Sequence, residues 1–397
     1  MATAAATRAH PRPPESLQAL VDRFDLTAFD LPASNATIRL ADPDGDSWDV
    51  LVDRTGARVC GRSKGQADAV LTADEQTWQR LGRDVTSGMS AFRAGRLQVR
   101  RNLHLGVGFL AATAPDTGKG RFRFRRVRTR AGEFSVIEAG TGRPVIMLHG
   151  LGGTKAEFLP TIAALGDSFR LIAVDMLGFG DSSKPLGASY GPAYQAGTIA
   201  PLLDVLELER ADFVGHSYGG RVALEVGFRH PERVRRLVLM TPAMAWLRER
   251  RWAPYLKLVR PELGLLQIAP RSLIDMFMKW ALPDADTPWA ASAIDEFGRI
   301  FAGARGRAAF YAALRSIYLD EPHGDKGFWT QLETLAPASL FIWGMHDRLV
   351  STGFIKHVER ALPAARHVEL ECGHIPQIER PRQTHAAIEK FLRSRAA

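Results

Sequence analysis

The chain has 397 residues, 46% of them hydrophobic, which suits a globular protein of about two or three domains with a sizeable core. Its two cysteines, Cys60 and Cys372, exclude a disulfide framework. No run approaches the roughly 20 apolar residues that span a bilayer, and residues 1–14 lack the apolar stretch of a secretory signal, so the expectation is a soluble, cytoplasmic protein with a short disordered start. The net charge of +9 is uneven: between Arg93 and Arg130 eleven Lys/Arg stand against one acid, Asp116, which leaves the rest near neutral.

In chain order, residues 15–113 read as a first domain, with strand-like Ala36–Leu40, Trp48–Asp53 and Ala69–Thr72, then a helix over 73–82. Thr72 is expected to cap that helix, with Glu75 completing a capping box. The stretch Asp68-Ala69-Val70-Leu71-Thr72-Ala73-Asp74-Glu75-Gln76-Thr77-Trp78, followed by residues 89–99 (MSAFRAGRLQV), resembles the sterol carrier protein 2 family. That resemblance implies a small α+β fold enclosing an apolar tunnel for lipids or fatty acyl groups. Arg101 stands where that family usually carries glycine. Residues 114–120 (APDTGKG) form a turn-rich linker with no apolar pattern.

The second domain spans 121–397. Arg121-Phe122-Arg123-Phe124-Arg125 alternates basic and aromatic residues, as a strand with one face in water and one in the core does. The other reading of this basic stretch is a surface for anionic lipid or an acidic partner; no nucleic-acid motif accompanies it, and no nucleic-acid partner is expected. Apolar strands at 145–148, 171–174, 213–214, 237–240, 339–343 and 367–370 alternate with helix-length stretches at 155–165, 191–207, 218–230 and 351–361. This rhythm calls for an α/β fold: a mostly parallel sheet with helices on both faces, whose active site lies at the carboxyl ends of the strands. Residues 242–331 break the rhythm with a helix-rich, aromatic insertion, placed where a cap would sit. Within it, Trp246-Leu247-Arg248-Glu249-Arg250-Arg251-Trp252 reads either as a weak anionic-membrane contact or as a solvated cap face.

Gly215-His216-Ser217-Tyr218-Gly219 sits where a strand turns into a helix, the setting of a nucleophile elbow. A serine hydroxyl needs a neighbouring base, and the base an orienting carboxylate. Among eleven histidines, His374 has the best context, in a loop between the last strand and the last helix. His149 and His216, inside glycine motifs, read as structural. Asp347 directly follows a buried strand; the rival position, after residues 237–240, offers Thr241-Pro242-Ala243 and no carboxylate. Asp175 and Asp181 read as turn-closing residues. The amides of Leu151, in His149-Gly150-Leu151-Gly152-Gly153, and of Tyr218 are assigned to the oxyanion hole.

These motifs, with Asp175-Met176-Leu177-Gly178-Phe179-Gly180-Asp181-Ser182, Gly344-Met345-His346-Asp347 and Gly373-His374, resemble the α/β-hydrolase superfamily over about residues 121–397. The resemblance implies a serine hydrolase using Ser217, His374 and Asp347. Its substrate is left open among a hydrophobic ester or lipid, a carbon–carbon bond in a ring-cleavage product, and haloperoxidase-like chemistry. The rival from another class is a non-catalytic lipid-binding or transfer protein. No metal or organic cofactor is implied, and the oligomeric state is not set by the sequence.

Overall fold

The computed structural model of the protein describes residues 13–31, 33–61, 65–83, 88–114, 122–245, 255, 258, 260–266, 270–281 and 288–394. The start at 1–12, linker residues 115–120 and the stretch 246–254 lie outside the described residues. The chain divides into two compact units, Met1–Asp116 and Thr117–Ala397.

The first unit is built on five strands among the described residues: β1 (Asn35–Ala41), β2 (Ser47–Asp53), β3 (Gly56–Cys60), β4 (Ala69–Ala73) and β5 (Leu97–Arg100), ordered β3-β2-β1-β4-β5. All neighbours are antiparallel except β1 and β4. Alternation along β1 sends Ala36, Ile38 and Leu40 into a core with Val50, Leu71, Trp78 and Phe109. The helix Glu75–Arg83 is capped by Asp74, whose carboxylate accepts the Thr77 N–H at 2.7 Å. The expected cap, Thr72, lies inside β4 paired with Gln98, because the strand runs on to Ala73. Arg101 has φ of 73°, the left-handed region in which glycine is unstrained, and its guanidinium donates to the Ala67 carbonyl at 2.5 Å.

In the second unit an eight-stranded sheet runs β13-β12-β11-β10-β8-β9-β7-β6 among the described residues. The strands are β6 (Arg123–Thr129), β7 (Gly132–Ala139), β8 (Pro144–Leu148), β9 (Arg170–Val174), β10 (Ala211–His216), β11 (Val234–Met240), β12 (Ala338–Gly344) and β13 (Arg366–Leu370). From β9 to β13 the pairing is parallel; β6 and β7 add an antiparallel edge. Around Phe124 the expected alternation holds, with Phe124 buried between exposed Arg123 and Arg125; further along it lapses, since Val127 is buried on the other face, and Arg125, Arg126 and Arg128 pair with Glu138 and Glu133 of β7.

Ile146, Leu148, Phe213, Leu237, Leu239 and Phe341 join one core with the helices Pro192–Val205 and Tyr218–Arg229. Their alternates Val145, Met147, Val214 and Val238 are equally buried. Both faces of the sheet are therefore covered, as a parallel sheet requires. Between β11 and β12 the chain leaves the sheet and forms the helices Arg271–Ala281, Pro288–Ala302, Ala304–Tyr318 and Phe328–Glu333.

Candidate active site

Ser217 joins β10 to the helix Tyr218–Arg229 with φ 50° and ψ −114°. Such geometry on a residue with a side chain costs about 1–3 kcal/mol and persists only where the surroundings enforce it. Two backbone bonds do so: the Ser217 N–H donates to the Met240 carbonyl at 2.9 Å, and the Ala243 N–H to the Ser217 carbonyl at 2.9 Å. A Cβ on Gly219 would collide with the Leu148 carbonyl, so only glycine permits the helix to start so close to β8.

His374 and Asp347, 27 residues apart, come together at the ends of β13 and β12. His374 Nδ1 lies 2.7 Å from Asp347 Oδ2, and the two side chains are only 8% and 1% exposed. Asp347 Oδ1 accepts the Leu349 and Val350 amides at 2.7 and 2.9 Å, so the carboxylate is fixed on both sides. The His374 backbone is held as firmly. Its carbonyl accepts the Thr241 hydroxyl at 2.9 Å and His216 Nε2 at 2.7 Å, and the His216 and His374 rings lie 4.9 Å apart. Thr241, at the position that offered no carboxylate, thus orients the histidine loop instead. Among the described residues no hydrogen bond joins Ser217 Oγ to His374 Nε2. In unliganded sites such bonds are often long and tighten only with substrate.

The 149–153 loop faces the serine: a Cβ on Gly150 would lie 3.5 Å from Ser217 Cβ. The Leu151 amide has no hydrogen-bond partner among the described residues, and Tyr218 contributes a first-turn amide, which has no intrahelical acceptor. His149 is buried, with Nδ1 2.7 Å from the Gly150 carbonyl and Nε2 accepting the Met176 N–H at 3.1 Å. This pattern fixes the neutral tautomer, and burial lowers its pKa, so it shapes the loop rather than titrating. Gly152 has φ of 75°, and a Cβ there would overlap the Phe297 ring of the helix Pro288–Ala302. Phe297 stacks on Phe301 and meets Phe310 edge-on, so the roof of the loop is aromatic.

Beneath the loop lies a chain of charges that the motifs did not reveal. Lys155 Nζ is 2.6 Å from Asp175 and 3.4 Å from Asp181, and Asp181 receives Arg299 at 2.9 and 3.1 Å. Lys155 and Asp175 are 1% and 0% exposed. Burial alone would neutralise both, but their mutual attraction overrides it: the Asp175 pKa is lowered and the Lys155 pKa raised. Asp175 also accepts the Asp181 N–H at 2.8 Å, the turn-closing bond expected from the sequence. Lys155 and Glu157 went unnoticed in the sequence because a lysine and a glutamate outside any motif read as solvated.

A mostly parallel sheet with a strained serine elbow, a histidine loop after the last strand and an aspartate after its neighbour defines the class: an α/β hydrolase. The chain belongs to the alpha/beta hydrolase fold family, which matches residues 143–381, and carries a domain of the SCP-2 sterol transfer family over residues 25–110. It is 32% identical over 263 residues to the 2-hydroxymuconate semialdehyde hydrolase of Pseudomonas sp. strain CF600, covering 64% of this chain and 88% of that protein. The 2-hydroxy-6-oxo-2,4-heptadienoate hydrolase of Pseudomonas putida is 28% identical over 66% of this chain and 92% of its own length. The crystal structure of a membrane phospholipase A, a bacterial virulence factor, superposes with a TM-score of 0.58 at 26% identity, covering 69% of this chain and 87% of that one.

Proposed function

We propose that the protein is a serine hydrolase of hydrophobic carboxylic esters. Ser217 Oγ attacks the ester carbonyl while His374 takes its proton; His374 then returns the proton to the leaving alcohol, and water, activated by the same histidine, releases the acyl group. Asp347 holds the imidazole through Nδ1. The Leu151 and Tyr218 amides receive the oxyanion, each contributing about 3 kcal/mol of transition-state stabilisation. The observation that carries this reading is the 2.7 Å contact between His374 and the doubly anchored Asp347, beside a serine in strained elbow geometry.

The surroundings favour an uncharged substrate. Lys155, Lys184 and Arg299 are each already held by carboxylates or carbonyls, and the roof is formed by Phe297 and Phe310. A second reading, hydrolysis of a carbon–carbon bond in a ring-cleavage product on the same triad, is supported by the two Pseudomonas relatives. A fluorophosphonate probe, a p-nitrophenyl ester series and an acidic ring-cleavage product, each run on wild type and Ser217→Ala, separate the readings. Ester turnover and labelling that vanish in the variant support the first; turnover of the dienoic acid alone supports the second. No labelling of folded protein would point to a non-catalytic lipid-binding role.

The SCP-2 domain, on this reading, captures a lipid or fatty acyl substrate for the hydrolase, and displacement of a fluorescent fatty acid from the full chain tests it. Leu273, Met276 and Trp280, one face of the helix Arg271–Ala281, are 55%, 64% and 51% exposed, which supports a contact with an apolar or membrane surface, while the basic stretch 246–252 on which an anionic preference would rest lies outside the described residues. Flotation with liposomes that shows no dependence on anionic lipid would remove that preference. No helix among the described residues is long and apolar enough to cross a membrane. The free thiols Cys60 and Cys372 support the cytoplasmic reading.

A further inference from the structure

Glu157 lies in the turn Lys155–Phe158, outside every motif, yet its carboxylate touches three segments that build the site. Oε2 accepts the Gly150 N–H at 3.2 Å, on the loop that carries Leu151. Oε1 accepts Gln377 Nε2 at 2.6 Å, just past His374, and lies 2.5 Å from Nδ1 of His216, a close charged contact rather than an aligned hydrogen bond. His216 precedes the nucleophile, and its Nε2 donates to the His374 carbonyl. A carbonyl therefore faces Nε2 and a carboxylate oxygen lies against Nδ1, an arrangement that favours the doubly protonated imidazolium.

We propose that Glu157 and His216 form a buried ion pair of positioning residues that sets the His374 loop and the Leu151 loop in register with Ser217. The proposal rests on the serine-hydrolase reading above. The charged groups facing the pair agree with it: Glu157 from the turn and Asp347 from the end of β12 favour the His216 cation, and that cation in turn favours the Glu157 anion, while His149 beside them is neutral. Burial works against both charges and is outweighed, leaving the His216 pKa raised and that of Glu157 lowered. The full register thus holds while His216 is charged and is lost as the pH climbs through its raised pKa.

Glu157→Gln preserves shape and still accepts the Gly150 amide, but lets His216 become neutral. In the full chain, fluorophosphonate labelling and kcat for p-nitrophenyl butyrate should fall about 10- to 100-fold with KM little changed, as expected for a slightly misplaced catalytic group. The alkaline limb of the labelling rate should move to lower pH in Glu157→Gln and disappear in His216→Gln. Circular dichroism scales each rate to folded protein. Wild-type rates and an unmoved limb in both variants overturn the proposal, as does a loss that follows the folded fraction alone. Absence of labelling in folded wild type instead refutes the serine-hydrolase reading on which it rests.

Discussion

Asp347→Asn isolates what the buried carboxylate does, because the structure dictates which way the amide must point. Asp347 Oδ1 accepts two backbone N–H groups, from Leu349 and Val350. An asparagine keeps its carbonyl oxygen on those donors, since turning its NH2 toward them would strand buried groups at about 1–3 kcal/mol each. The NH2 therefore faces His374 Nδ1, 2.7 Å away, and donates to it. The imidazole proton moves to Nε2, the nitrogen that should receive the serine proton, and general-base catalysis stops. The loss should be about 10⁴-fold in kcat, or about 5.5 kcal/mol of barrier, with the oxyanion donors supplying the residual rate. Short-chain p-nitrophenyl ester turnover and the labelling rate measure it, and an unchanged circular dichroism spectrum confirms the isosteric fold. A variant within about tenfold of wild type would refute the tautomer argument and with it the role assigned to Asp347.

Lys155→Met should cost about 3–5 kcal/mol in urea unfolding, because Asp175 is left buried against Asp181 without its cation. In wild type the lowered Asp175 pKa gives stability that is present above the carboxylate's unfolded value and lost as pH falls through the folded one. The raised Lys155 pKa gives stability that is complete below the lysine's unfolded value and lost as pH rises through the folded one. Unfolding measured against pH should therefore show both losses in wild type and weakened ones in the variant. Phe297→Ala, which opens the roof over Gly152, should raise kcat/KM for branched or long acyl esters over acetyl esters by about tenfold, read from a p-nitrophenyl series.

What the sequence made legible was local. Except for β7, which the sequence reading passed over, the strands of the second unit, the elbow, the aspartate after β12 and the histidine after β13 each declare themselves through periodicity or a motif, and the structure brings Asp347 and His374 into contact. β3, β5 and the Asp74 cap were missed because a short edge strand and a cap displaced by two residues carry little pattern. The charged scaffold under the site was illegible for a different reason. Lys155 is paired with Asp175, and Glu157 with His216, by how strands order in the sheet, and a buried charge has the same one-letter code as a solvated one. Arg101 shows the converse: its positive φ explains physically why glycine is expected there, which the sequence alone presents only as a departure.

On the proposed reading, joining an SCP-2 domain to the hydrolase changes kinetics through concentration. If the first unit holds substrate as proposed, the tether would present it to the hydrolase at an effective concentration on the order of millimolar, without any new contact at the active site. That gain matters only for esters too insoluble to reach the site by themselves. A hydrolase unit expressed from residue 117 onward should therefore show raised KM for long-chain esters and unchanged KM for acetyl and butyryl esters. Supplying residues 1–116 separately at micromolar concentration should restore little, because the shortfall is about a thousandfold in local concentration. If both chain lengths suffer equally, the first unit acts on the fold of the hydrolase and not on substrate supply; if the separate domain restores full activity, tethering is not its contribution.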